Sequence, residues 1–288
     1  MTDKYAVIGN PIAHSKSPLI HALFRDQFTG QARQNISYGL EPAPLEPGGF
    51  AKTVQRLIDE GYKGCNVTVP FKFQAFFELK SERSERAILA RAANTLKFVG
   101  DKIFSDNTDG AGLVCDLKKN LNFDFSNKRI LLVGAGGAGW GVLPPLLQEY
   151  SKCTVISNRN MIKAEEAAKI LHSAFRNHIK TADFVAKSFA DLEGGCFDLV
   201  INATSSGLKN EMLDLPPRIF APGALAYDMM YGKDTPFMRF AREQDAARVC
   251  DGLGMLVEQA AEAFLIWRGV RPDTAPVLAQ LRAQKAGG

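Results

Sequence analysis

The run Arg129-Ile-Leu-Leu-Val133 leads straight into Gly134-Ala135-Gly136-Gly137-Ala138-Gly139, a G-x-G-x-x-G loop opening a helical stretch that reaches Glu149. In that strand-turn-helix setting each glycine has a job: a tight turn, close backbone approach to a pyrophosphate, and close packing of helix on strand. Amides at the helix start then face the phosphates. The next apolar run, Cys153 to Ser157, ends at Asn158-Arg159, where an NAD site would present an acid to the ribose. A guanidinium there suits a 2′-phosphate, and Lys163 can add a second positive charge. The plainer alternative is that Arg159 and Lys163 are solvated surface charges. Residue types and spacing thus describe a dinucleotide grip, with NADP favoured over NAD.

A second group of polar residues clusters where strands give way to loops, the usual place for small-molecule sites in open α/β sheets. It comprises Asn10 to Pro18, Asn66 to Lys72, and Asn94-Thr95 with Asp106 to Gly110. Strand alternation puts Asn66 and Thr68 on one face and Cys65, Val67 and Val69 on the other. Ser15 and Ser17, just before Pro18, either cap the helix that follows or bind a carboxylate beside its amides. Asn202 to Gly207 follows a buried strand, as a nicotinamide-side loop would, and Tyr231 follows Asp228-Met-Met230. Those two features read equally as turn residues and a core aromatic.

The elements that must hold these residues form two α/β series. In the first, Tyr5 to Ile8, Ile36 to Leu40 and Cys65 to Val69 read as strands, with helices at Ser17 to Phe28 and Phe50 to Asp59. That order predicts a parallel sheet, followed by a hairpin of Asn94 to Phe98 with Lys102 to Ser105 and a helix over Gly112 to Leu121. The second series has strands at Ile130, Thr154, Asp198, Leu225 and Arg248, and its third interval lacks clear helical spacing. Domain boundaries are expected near Asp109/Gly110 and near Asp251/Gly252. The tail carries helical patterns over Leu253 to Trp267 and Ala275 to Gln284, with Met255 and Gln259 on one face, and is expected to pack back on the first domain.

Composition narrows the classes. A chain of 288 residues with 46% hydrophobic and 23% charged content is globular, and its length suggests two domains. The formal charge of +4 is mixed along the chain, which argues against nucleic acid. No apolar run spans a bilayer and no signal-peptide pattern opens the chain, so no membrane partner and a cytoplasmic location are expected. Cys65, Cys115, Cys153, Cys196 and Cys250 form no C-x-x-C pair, and His21, His172 and His178 lack ligand spacing, so no metal is expected. Surface helix positions are the expected place for those histidines.

The set V-I-G-N-P-I-x-H-S-K-S-P, N-V-T-V-P-F-K, N-T-D-G, G-A-G-G-A, N-A-T-S-S-G and G-M-L-V-x-Q-A, in this order across nearly the whole chain, resembles the shikimate dehydrogenase family. The resemblance implies an N-terminal α/β substrate domain completed by the C-terminal helices, a Rossmann-type doubly wound dinucleotide-binding domain between them, and an active site in the cleft. It implies NADP-dependent interconversion of 3-dehydroshikimate and shikimate, by a monomer or homodimer. Lys72 and Asp109 match the catalytic pair, and Ser15 and Ser17 match carboxylate-binding serines, which displaces the capping reading. Asn66, Thr68, Asn94 and Gln259 match positions holding ring hydroxyls, with Tyr231 added on the substrate side. Gly134, Ala135, Gly136, Gly137 and Ala138 match the pyrophosphate turn, and Asn158, Arg159 and Lys163 the adenosine-phosphate site. Thr204, Gly252 and Met255 are also counted with the cofactor residues. Lys163 stands where relatives often carry a second Arg, which implies a weaker NADP preference. Two rivals remain: a relative oxidising quinate, often with NAD, and a catalytically silent sensor on the same fold.

Overall fold

A computed structural model describes residues 2–28 and 35–286. The chain forms two compact units, Met1–Gly112 with Leu256–Gly288, and Leu113–Met255. The first unit runs β1 (Asp3–Gly9), α1 (Ser17–Asp26), β2 (Ile36–Pro42), α2 (Gly49–Asp59), β3 (Gly64–Val67), α3 (Lys72–Phe77), β4 (Ser81–Arg83), α4 (Glu85–Ala90), β5 (Thr95–Val99), β6 (Lys102–Asp106) and the first turn of α5 (Asp109–Cys115). Its sheet has the order β2-β1-β3-β5-β6-β4. The β2-β1-β3 half is parallel, as the order of its elements predicts, while β5 of the expected hairpin pairs antiparallel with both β3 and β6, so the sheet as a whole is mixed. The two-residue turn fixes β5 antiparallel to β6. The strand β3 also ends at Val67, which leaves Val69 exposed and not on the buried face with Cys65.

Apolar spacing explains how the helices seat. Phe50, Val54 and Leu57 fall on one stripe of α2 and bury against Ile8, Cys65 and Val67. In the tail, α9 (Leu253–Arg268) and α10 (Ala275–Ala286) follow β12 (Arg248–Asp251) of the second unit. The part of α9 within the first unit is fixed to its sheet by Trp267, whose indole N–H donates to Leu96 O at 2.9 Å and whose ring stacks on Tyr5 at 4.6 Å. Gly64 makes room, since a Cβ there would strike Leu96 O and the Trp267 ring.

The surface expected for His21 is corrected by the structure: the residue is 1% exposed. It shares the buried stripe of α1 with Ile20 and Phe24 and stacks on Tyr38 at 4.2 Å. Burial pushes its pKa down to about 3, only partly opposed by the Asn66 side chain. The unfolded ring protonates near 6.5, so between the two values the unfolded chain binds the extra proton and stability falls as pH falls. Unfolding free energy is expected to drop by about 2 kcal/mol from pH 7 to pH 5 through this residue. Urea titrations at both pH values check it: His21→Phe should remove that share of the slope, and an unchanged slope would reject the assignment.

The second unit runs β7 (Arg129–Val133), α6 (Gly137–Leu147), β8 (Cys153–Ser157), α7 (Met161–Ala174), β9 (Phe184–Lys187), β10 (Phe197–Asn202), β11 (Phe220–Asp228), α8 (Pro236–Glu243) and β12 (Arg248–Asp251). Its sheet has the order β12-β11-β10-β7-β8-β9 and is parallel throughout, a doubly wound sheet with β7 at its centre. Ile130 to Val133 are fully buried, as a strand covered on both faces must be. Ala164, Ala167, Ala168 and Leu171 give α7 its buried stripe. Between β10 and β11 only a single short turn, Ser206–Leu208, is helical, in keeping with the unclear spacing there.

Candidate active site

In the first unit Lys72 opens α3 and Asp109 opens α5, and their side chains meet: Lys72 Nζ donates to Asp109 Oδ2 at 2.6 Å. Both are largely buried, at 14% and 5% side-chain exposure. The carboxylate is held from behind. Asn94 Nδ2 donates to Asp109 Oδ1 at 2.9 Å, and the Asp109 amide donates to Asn107 Oδ1 at 3.1 Å. Asp109 therefore aims the lysine and does not cap its own helix with that side chain.

Around this pair lies a connected polar cluster. Asn94 Nδ2 also reaches Thr108 Oγ1 at 2.9 Å and Gln259 Oε1 at 3.3 Å, while its Oδ1 accepts the Thr108 amide at 2.8 Å. Gly112 lets α9 come this close, because a Cβ there would sit 2.7 Å from the Gln259 backbone. Asn66 Nδ2 donates to Thr95 Oγ1 at 3.1 Å, and Asn66 Oδ1 accepts the Tyr38 hydroxyl at 2.6 Å. Thr68, half-buried, follows on the loop after β3. Ser15 accepts the Ser17 amide at 3.2 Å and donates to Ser17 Oγ at 3.1 Å. The residue in the N-cap position of α1 is Lys16, without a side-chain cap, so the serine hydroxyls sit paired beside the helix start.

In the second unit Gly134 takes φ +116°, and Gly139 packs so tightly that a Cβ would strike Gly134 O. Gly136 faces open space where its Cβ would stand. Helix geometry leaves the first amides of α6 for another acceptor, so the loop fits a pyrophosphate. Asn158 Oδ1 accepts the Ala135 amide at 3.3 Å, tying the end of β8 to this loop. Beside it opens a cavity of about 490 Å³ whose lining includes Asn158, Arg159, Ser188, Phe189 and Asp214. Lys163 stands outside that lining, exposed in the first turn of α7.

The loops after β10 and β11 share one anchor. Thr204 donates its hydroxyl to Asn202 Oδ1 at 2.7 Å, Asn202 Nδ2 donates to Asp228 Oδ2 at 3.2 Å, and Asp228 Oδ1 accepts the Met230 amide at 2.9 Å. Burial raises the Asp228 pKa, partly offset by the bonds it accepts from the Thr235 hydroxyl, the Met230 amide and the Asn202 side chain. Tyr231, half-buried, follows on that turn in the second unit. Gly252 donates to Met230 O at 2.8 Å, and Met255, buried, donates its amide to Tyr227 Oη at 3.3 Å.

Residues 7–96 match the shikimate dehydrogenase substrate binding domain, residues 252–282 the shikimate 5′-dehydrogenase C-terminal domain, and residues 121–213 a putative NAD(P)-binding domain. The shikimate dehydrogenase (NADP(+)) of Methylobacillus flagellatus is 56% identical over 98% of this chain and 99% of its own. The chain belongs to the shikimate dehydrogenase family. A solved structure of the Ael1 enzyme from Pseudomonas putida is 48% identical, with a TM-score of 0.85 over 97% of this chain and 98% of that one. The Thermus thermophilus shikimate 5-dehydrogenase, solved with NADP(H) and shikimate, is 28% identical, with a TM-score of 0.81 over 98% and 99%.

Hydrogen bonds bring into the polar cluster one residue, Tyr38, that lies outside the motifs. Tyr38, Thr95 and Thr108 belong to the polar cluster through the hydrogen bonds of Asn66 and Asn94, yet no motif singled out Tyr38. A usable signal existed, since a tyrosine in a strand needs a partner for its hydroxyl wherever that end is taken from water. Among the described residues, no group of His, Cys, Asp and Glu is placed to hold a metal, and no helix is long and apolar enough to cross a membrane.

Proposed function

We propose that this chain catalyses the reversible, NADP-dependent reduction of 3-dehydroshikimate to shikimate, an oxidoreductase step of chorismate and aromatic amino acid biosynthesis. The observation that carries the mechanism is the 2.6 Å contact between Lys72 and Asp109 inside a cluster of amides and hydroxyls. A ketone gains negative charge on oxygen during reduction and needs a proton. Lys72, protonated, stabilises that oxygen and donates; in oxidation the same amine accepts. Asp109 orients the amine, and Asn94 and Asn107 orient Asp109. NADPH, when bound, supplies the hydride.

Ser15 and Ser17 take the substrate carboxylate. Asn66, Thr68, Asn94 and Gln259 read its hydroxyls, and Tyr231 contributes from the second unit. Gly134, Ala135, Gly136, Gly137 and Ala138 hold the pyrophosphate, Asn158, Arg159 and Lys163 the adenosine phosphate, and Thr204, Gly252 and Met255 complete the cofactor site. On this reading the partners are small molecules and the setting is the cytoplasm.

Initial rates with shikimate and quinate, each with NADP+ and NAD+, test the assignment by near-UV absorbance of the reduced cofactor. Shikimate with NADP+ is expected to give the highest kcat/KM. Quinate with NAD+ as the best pair would replace it with the sister activity, and shikimate binding without turnover would replace it with a sensor.

A further inference from the structure

The cavity beside Asn158 carries a charge that recognition of a 2′-phosphate does not require. Arg159 Nη2 lies 3.3 Å from Glu211 Oε2, so the guanidinium already has an anionic partner. Glu211 is held at its backbone, where its amide donates to Ser206 O at 2.9 Å on the turn after Thr204. A further carboxylate, Asp214, lines the cavity with Arg159, while Glu211 and Lys163 both stand outside its lining. A phosphate and a carboxylate cannot both take the planar donor edge of one guanidinium without leaving two anions side by side. A ribose with a free 2′-hydroxyl makes no such demand.

We propose that Glu211 is a cofactor-specificity residue that competes with the 2′-phosphate for Arg159 and so lowers the preference for NADP over NAD. The inference rests on the reading of Arg159 as the 2′-phosphate residue. The pair is exposed, at 70% and 43% for its side chains, so the competition is modest and reversible. Breaking the Arg159–Glu211 contact is part of binding NADP, and its strength sets how much of the phosphate's attraction is realised. The departure at Lys163 acts in the same direction, because an exposed point charge does little to replace a guanidinium occupied elsewhere.

Calorimetric titration of the full chain with 2′,5′-ADP and with 5′-AMP separates the terms. Glu211→Gln, with Glu211→Ala as a second variant, is expected to tighten 2′,5′-ADP about three- to fivefold, the range for an exposed pair, and to leave 5′-AMP nearly unchanged. The gain should vanish in an Arg159→Gln background, as a double-mutant cycle requires of two groups that act on each other. Equal tightening of both ligands, a gain that survives without Arg159, or no gain overturns the specificity role alone. If Arg159→Gln binds 2′,5′-ADP as well as the unsubstituted chain does, the reading of the cavity falls as well.

Discussion

Lys72→Ala is expected to lower turnover of shikimate about 10²- to 10⁴-fold, the range for removing a positioned general acid-base. Affinity for shikimate should fall only about tenfold, as for one lost charge-assisted hydrogen bond. The split follows from the surroundings: Asn94 and Asn107 hold Asp109 whether or not the lysine is present, so the rest of the cluster keeps its shape. Lys72→Arg should not rescue, since a guanidinium keeps its proton at any working pH. Steady-state rates together with calorimetric binding of shikimate give both quantities. An equal collapse of turnover and affinity would make Lys72 a binding or folding residue.

Arg271→Met is expected to destabilise the first unit by about 3 kcal/mol, the lower end for breaking a buried ion pair. Glu258, 1% exposed, accepts Arg271 Nη2 at 2.8 Å and the Thr274 hydroxyl at 2.7 Å. Arg271 Nε also donates to Glu262 at 3.0 Å, and Arg86 joins Glu262 at 3.3 Å to Asp106 at 2.7 Å. This chain of charges fastens the junction of α9 and α10 to α4 and β6. Removing the arginine strands a carboxylate that burial has already taken from water. Adding Glu258→Met should recover most of the loss, because paired apolar side chains need no counter-charge. Urea midpoints of the single and double variants check this, and additive losses would reject the coupling.

The glycine loop could be read directly because its chemistry is local: turn, strand and helix lie in one short stretch of chain. The pairing of Lys72 with Asp109 is not local. The residues are 37 apart in sequence, and neither periodicity nor spacing distinguishes them from a surface lysine and a helix cap. Only the resemblance singled them out, and the contact itself is a product of how α3 and α5 begin. The short elements α3, β4, α4 and β9 carry too few residues for a periodic signal, and they are held by contacts that the chain makes elsewhere. His21 shows the opposite failure. Its spacing from Ile20 and Phe24 marked a buried face, but its polarity suggested water.

An amide side chain is nearly symmetric in outline and opposite in polarity at its two ends. A pocket that reads hydroxyls with an asparagine therefore inherits a two-way ambiguity, and some neighbour has to break it. At Asn66 that neighbour is Asn94, whose backbone carbonyl can only accept: it takes Nδ2 at 3.3 Å, and Oδ1 is left for the phenolic proton of Tyr38 of β2, two strands away across β1. One main-chain oxygen thus fixes which end of Asn66 gives a proton and which end receives one, and Tyr38, outside every recognisable motif, follows that choice.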